Sequence, residues 1–255
     1  MEKKLHVVLL RYTPEAETLI ASAAKLCYSP SDIDSLLERQ TPEKSRECID
    51  KLALMGHQSP LEHVSYTFGI EGISRACSHQ LVRHRIASFS QQSQRYVGEL
   101  SGKNPDGCFD FIIPPSVEKA GMKKRFIEMI KSCQEFYDEI SQALKKSGLE
   151  GEANFQDARF ILPNAAETKI IASMNARELL HFFRVRCCNR AQWEIRNLAK
   201  EMYRVVLPTV PYLFKYTGPS CVSTGKCSEG KMSCGLAEQV REEFKRLGEQ
   251  SDTQI

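Results

Sequence analysis

The feature that most constrains the fold is the uneven alternation of short apolar runs with helical patterns of very different length. Four runs read as strands: Leu5 to Arg11, Val64 to Ile70, Phe109 to Ile113 and Thr168 to Met174. A doubly wound sheet needs a regular βαβ repeat, which this order lacks. The expected class is therefore α+β, with mixed helices packed on a central antiparallel-type sheet. Helices are expected over Pro14 to Cys27, Ser31 to Gln40, Glu43 to Gly56, Ile73 to His84, Ser116 to about Lys146, from Gly151 to just before Leu162, Asn175 to Cys188 and Ala191 to Leu207. The longest carries Phe126, Met129, Ile130, Cys133, Phe136, Tyr137, Ile140 and Leu144 on one stripe, the pattern of a scaffold helix.

The length of 255 residues suits one catalytic domain over 1–219 and a Cys-rich tail over 220–255, with a linker near Tyr216 and a short helix over Leu236 to Leu247. A formal net charge of +3 gives little support to nucleic-acid binding driven by counterion release. No apolar run is long enough to span a bilayer, and the start lacks the apolar core and cleavage site of a signal peptide. A soluble, cytoplasmic protein without a membrane partner is expected. The ten cysteines are spread through a chain too large to need disulfide staples, so they read as reduced thiols. Cys27, Cys48, Cys77, Cys133, Cys187 and Cys188 are expected to pack in the interior.

Three polar groups carry the candidate chemistry. The densest runs from Arg83 to Tyr96, with three guanidiniums, an imidazole, three serine hydroxyls and three amides, and neither Lys nor Glu. Planar guanidinium forks with neutral donors suit an anion, and an interfacial salt-bridge network is the alternative. The second group, Gly56 to His63, holds His57, Ser59, Glu62 and His63 in one loop. It reads as a ligand or cofactor contact or as a loop capped by its own side chains. It lacks H-E-x-x-H or C-x-x-C spacing, and no metal site is expected. The third is Asn175 to Arg186, where Arg177 and His181 share a helix face while Arg184 and Arg186 cannot point the same way. One of those two arginines should turn into a site or an interface.

In this order the groups resemble the flavin-dependent thymidylate synthases, whose signature is Arg-His-Arg, seven residues, then Ser. Here Arg83-His84-Arg85 is followed by Ile86 to Gln92 and then Ser93. The flanks match as well: Gln80, Gln94-Arg95-Tyr96, Arg159 before Leu162-Pro163, Asn175-Ala176-Arg177 and Ala191-Gln192-Trp193-Glu194. The resemblance covers roughly Leu5 to Tyr216.

It implies reductive methylation of dUMP to dTMP, with methylenetetrahydrofolate as carbon donor, FAD as hydride carrier and NADPH as reductant, in a homotetramer with shared active sites. By similarity Gln80, Arg83, Gln92, Ser93, Gln94, Arg95, Arg159 and Arg186 bind dUMP. Arg186 corresponds to the arginine that polarises uracil N3 and is the catalytic candidate. The resemblance assigns FAD to His57, Ser59, Glu62, Arg83, His84, Arg85, Gln91, Asn175, Arg177 and His181. Position 91 is Gln where the family often has Glu, and position 181 is His where relatives carry Asn. No cysteine lies in the Arg83 group, and Ser93 lacks an adjacent base, so substrate binding is favoured over a nucleophilic role. Cys221, Cys227 and Cys234 read as part of a flexible or packed extension, with metal or redox work as the other reading. The alternative class is a nucleic-acid-binding protein that uses the Arg83 and Arg177 groups on phosphates, with Phe89 and Tyr96 for stacking.

Overall fold

Four antiparallel strands, β1 (His6–Tyr12), β2 (Ser65–Ser74), β3 (Ala87–Gln91) and β4 (Glu167–Asn175), are hydrogen-bonded in the order β1-β2-β4-β3. With helices around them they make the fold α+β. The computed structural model describes residues 1–215 and 217–252. Tyr216, expected at the end of the resemblance and in the linker, lies outside the described residues. The chain divides into two compact units, one of residues 1–6, 70–83 and 89–171, the other of residues 7–69, 84–88 and those from 172 onward.

Three expectations are corrected. The apolar run Phe109 to Ile113 is not a strand: Phe111 makes isolated bridges to Glu2 and Ala166. Four of its five side chains are buried, so the run serves as a core insertion, and Pro114-Pro115 withdraws the backbone donors that a ladder would need next. The long helix is broken into α5 (Pro115–Lys119) and α6 (Lys123–Lys146) at Gly121, whose φ of 71° is left-handed. Cys27 is exposed, because it ends its helix at the surface, while Cys77 and Cys187 are buried as expected.

The first unit also holds α4 (Arg75–Leu81) and α7 (Glu152–Ala158). Its core gathers Cys108, Phe109, Phe111, Ile113, Ile130 and Ala166. Buried Gln134 of α6 accepts from Phe109 N at 2.8 Å and donates to Glu99 O at 2.8 Å, and Tyr137 Oη accepts from Glu99 N at 3.1 Å. These bonds fix the loop that continues from the Arg83 group. Ser74 caps α4 by accepting from Cys77 N, so the helix starts where β2 ends. Gly72 has φ 71°, and a Cβ there would lie 1.9 Å from Lys4 O, so only glycine lets the N-terminal segment approach.

In the second unit, α1 (Ala16–Leu26), α2 (Ile33–Glu38) and α3 (Pro42–Met55) lead to a 3-10 turn over Ser59–His63. Thr41, Pro42 and left-handed Gly56 give α3 its start and stop. After β4 come α8 (Ala176–Arg186), α9 (Trp193–Val206), α10 (Pro211–Phe214), α11 (Ser220–Ser223) and α12 (Ala237–Asp252). The core is aromatic: Phe183 meets Tyr203 and Phe214 edge-on at centroid distances of 5.5 and 6.1 Å, and Tyr203 meets Phe244 of α12 at 5.2 Å. Lys200 of α9 also bonds Glu243 of α12 at 2.6 Å, so the C-terminal helix is packed onto this unit.

Candidate active site

In the second unit the site is built on the start of α8. Asn175 caps the helix, its Oδ1 accepting from Glu178 N at 2.9 Å. The Asn-x-x-Glu spacing is that of a capping box, in which the acid would reach back to the cap. Glu178 instead turns inward, and its Oε1 lies 2.9 Å from His84 Nδ1. On the other side of the ring Arg186 donates from Nε to His84 Nε2 at 3.0 Å. A guanidinium only donates, so Nε2 carries the lone pair and the proton sits on Nδ1, bonded to Glu178.

The electrostatics agree with a neutral imidazole. Burial holds His84 below the ordinary histidine value, the Glu178 hydrogen bond works against that, and the Arg186 charge reinforces it. His84 is 8 % exposed and packs edge-on against Phe182 at 4.9 Å. Glu178, His84 and His181 also lie close enough to hold a metal ion together. However, both nitrogens of His84 are already engaged and one faces a guanidinium, which disfavours a cation there.

Around this chain lie the residues that the resemblance assigned to flavin. Arg85, His57, Ser59 and His181 are exposed, and Arg177 pairs with Glu62 of the 3-10 turn. Arg85 has no acidic partner among the described residues. Arg184, beside Arg186 in sequence, is exposed, so Arg186 is the arginine that turns inward.

The first unit gathers the other set. The amide nitrogen of Gln91 donates to Ser78 Oγ at 3.1 Å and Thr168 Oγ1 at 3.0 Å, which anchors the end of β3. Gln92 N bonds Lys169 O at 2.9 Å, and Ser93 closes the following turn by accepting from Arg95 N at 3.2 Å and Val97 N at 2.9 Å. No base is hydrogen-bonded to Ser93 Oγ among the described residues, in keeping with a binding role. Arg95 pairs with Glu152, whereas the guanidinium of Arg83 is exposed without an acidic partner among the described residues. Gln80 is half-buried one turn before Arg83, whose amide bonds its carbonyl. The side-chain nitrogen of Gln94 is buried with no partner among the described residues, an orphaned donor that suits an acceptor on a ligand.

Two residues were missed by reading the sequence. Arg75 is half-buried at the start of α4, and its pKa is lowered by burial and then by the charge of Arg159. Neither guanidinium has an acidic partner among the described residues, a donor chemistry that suits an anion. A cation in the first turn of a helix opposes the macrodipole and is the signal that marks Arg75. Glu178 was hidden because its spacing reads as a cap. Neither Cys77 nor Cys187 is a ready nucleophile: both are fully buried, and burial pushes the Cys187 thiol far up.

The fold is α+β; its first unit carries Arg75, Arg83, Arg159 and the unpartnered Gln94 nitrogen, and its second carries the buried Glu178–His84–Arg186 chain. The family model described as thymidylate synthase complementing protein matches residues 8–212. A flavin-dependent thymidylate synthase of Clostridium tetani is 51% identical over 245 residues, 92% of this chain and 95% of that protein. One from Geobacter sulfurreducens is 50% identical over 244 residues, 95% of this chain and 99% of that protein. Among solved structures, the UMP/dUMP methylase PolB of Streptomyces cacaoi, bound with 5-Br dUMP, has the same fold, with a TM-score of 0.68 at 23% identity over 85% of this chain and 97% of that one. The chain belongs to the flavin-dependent thymidylate synthase family and is an enzyme.

Proposed function

We propose that this enzyme converts dUMP to dTMP by reductive methylation, with FAD, NADPH as reductant and methylenetetrahydrofolate as carbon donor. The observation that carries the reading, within this family, is the Glu178–His84–Arg186 chain, which holds one arginine in a fixed orientation through a neutral imidazole. The donor set fits both ligands. For a nucleotide monophosphate, Arg75, Arg83 and Arg159 offer guanidiniums without acidic partners among the described residues, and Gln94 offers an unmet donor. For a flavin diphosphate, Arg85 is free of acids, Arg177 is tethered at the surface by Glu62, and His57, Ser59, Asn175 and His181 stand by as hydrogen-bonding groups.

When bound, the flavin supplies hydride transfer, which no side chain here performs. The protein's part is to bind, orient and charge-stabilise. Arg186 faces the uracil N3 edge and favours the electron-rich ring needed for attack from C5. His84 and Glu178 prevent that guanidinium from rotating away. Gln91 and His84 have their ring or amide nitrogens committed inside the protein, so we assign them to shaping the site.

An assembly of four copies with shared active sites suits the large apolar side chains left in solvent, among them Leu54 at 88%, Tyr28 at 85%, Phe160 at 84% and Ile86 at 66% exposure. Among the described residues no helix is long and apolar enough to cross a membrane, in keeping with a cytoplasmic enzyme. The test is product analysis. Purified protein given dUMP, FAD, NADPH and methylenetetrahydrofolate should form dTMP, and leaving out any one of them should abolish it. Absence of dTMP from folded, flavin-loaded protein would overturn the proposal. Light scattering should give the mass of a tetramer.

A further inference from the structure

Cys188, just beyond the end of α8, lines one small pocket together with Cys221, Cys227 and Cys234 of the C-terminal region. We infer that these four cysteines form a tetrathiolate zinc site that ties the C-terminal region to the end of α8. Four thiolates are the full complement of a closed, structural zinc site. The spacing of Cys221, Cys227 and Cys234 matches no common zinc pattern, and the missing ligand comes from far upstream through the fold.

The surroundings support a shared ligand rather than chance neighbours. All ten cysteines are free thiols, and these four face one space while Cys27, Cys48, Cys77, Cys108, Cys133 and Cys187 do not line it. Left-handed Gly225 lies between Cys221 and Cys227, and left-handed Gly230 lies between Cys227 and Cys234, where they let the connecting chain turn. Ser220 Oγ accepts from Ser228 N at 3.0 Å, which closes the loop that carries Cys221 and Cys227.

Arg190 and Glu229 also line the pocket, and the guanidinium supplies positive charge beside a zinc tetrathiolate. No three of the four sulfurs lie within 4.8 Å of one another, and zinc needs them about 3.8 Å apart. On binding, the exposed Cys227 and Cys234 would have to reorient toward Cys188 and Cys221. Binding releases the four thiol protons to solvent and forms four Zn–S bonds. The staple would hold the chain two residues from Arg186.

The test uses the full chain, expressed with zinc and purified under reducing conditions. Elemental analysis should find about one zinc per chain, released by a mercurial that attacks thiolates. Cobalt put in its place should show thiolate charge-transfer and tetrahedral d–d bands, and alkylation with mass mapping should find these four cysteines protected. Cys227→Ser and Cys234→Ser, at exposed positions, should each lower zinc retention about tenfold or more while circular dichroism is unchanged. Cys133→Ser on α6 should retain the metal. Protein without zinc or cobalt binding whose four thiols alkylate freely, or a disulfide among them, would overturn the inference.

Discussion

Replacing Glu178 with alanine removes the acceptor for the His84 Nδ1 proton, 2.9 Å away, at a position where the two side chains are only 10% and 7% exposed. No water can readily replace it, so the donor is left unmet at a cost of about 1–3 kcal/mol. If that cost is relieved by letting the ring turn, Arg186 loses its acceptor at Nε2 and its orientation. The corresponding loss in kcat is roughly 5- to 150-fold.

Glu178→Gln retains an acceptor oxygen but no charge, and a charge-assisted bond becomes an ordinary one. A loss of roughly 1 kcal/mol, about fivefold in kcat, is expected. The pH profile separates positioning from general damage. Protonated His84 cannot accept from Arg186, so activity in the wild type should fall on the acid side, below the ordinary histidine value. Because the carboxylate raises the His84 pKa against burial, its removal should move that acid limb to lower pH even as the plateau drops. Steady-state dTMP formation with saturating flavin from pH 5 to 8 reads both effects. Wild-type kcat in folded Glu178→Ala, or an acid limb that moves up in Glu178→Gln, would refute the reasoning.

The depressed His84 pKa also predicts stability that is full above the unfolded histidine value and is lost as pH falls through the folded one, seen as a declining urea midpoint in acid. Arg186→Lys keeps the charge but has no Nε to place on His84, and should lower kcat about 100-fold with a smaller change in KM for dUMP. Gln94→Leu should weaken dUMP binding about tenfold in calorimetry without loss of thermal stability, since the amide nitrogen has no partner to lose among the described residues. Gly72→Ala sets a methyl against Lys4 O in a left-handed backbone, and should cost about 3 kcal/mol or more in urea unfolding. A variant as stable as the parent would disprove that close approach.

Much of the fold could be read from local chemistry. Thr41-Pro42 and Gly56 marked both ends of α3 and Asn175 marked the start of α8, whereas the apolar stripe of α6 marked its buried face only in part, since Ile130 and Tyr137 are buried but Met129 and Phe136 are exposed. Strand β3 was missed because Ser88, Ser90 and Gln91 belong to the polar cluster and carry no apolar alternation. The run at Phe109 misled for the opposite reason, since apolar composition specifies burial and not ladder bonds. In the site, the signature around Arg83 was plain, but what orients Arg186 was not. His84 and Glu178 are 94 residues apart, and their pairing exists only once α8 is laid down. The same holds for Cys188 and the C-terminal cysteines, whose convergence on one pocket has no counterpart in spacing.

The central claim, that this enzyme uses a flavin to act on dUMP, is tested most directly by NADPH-driven bleaching of the flavin with and without dUMP. Protein loaded with FAD and freed of excess should keep its flavin spectrum, and dUMP should speed the reduction. Folded protein that retains no flavin, or whose reduction ignores dUMP, would contradict the account.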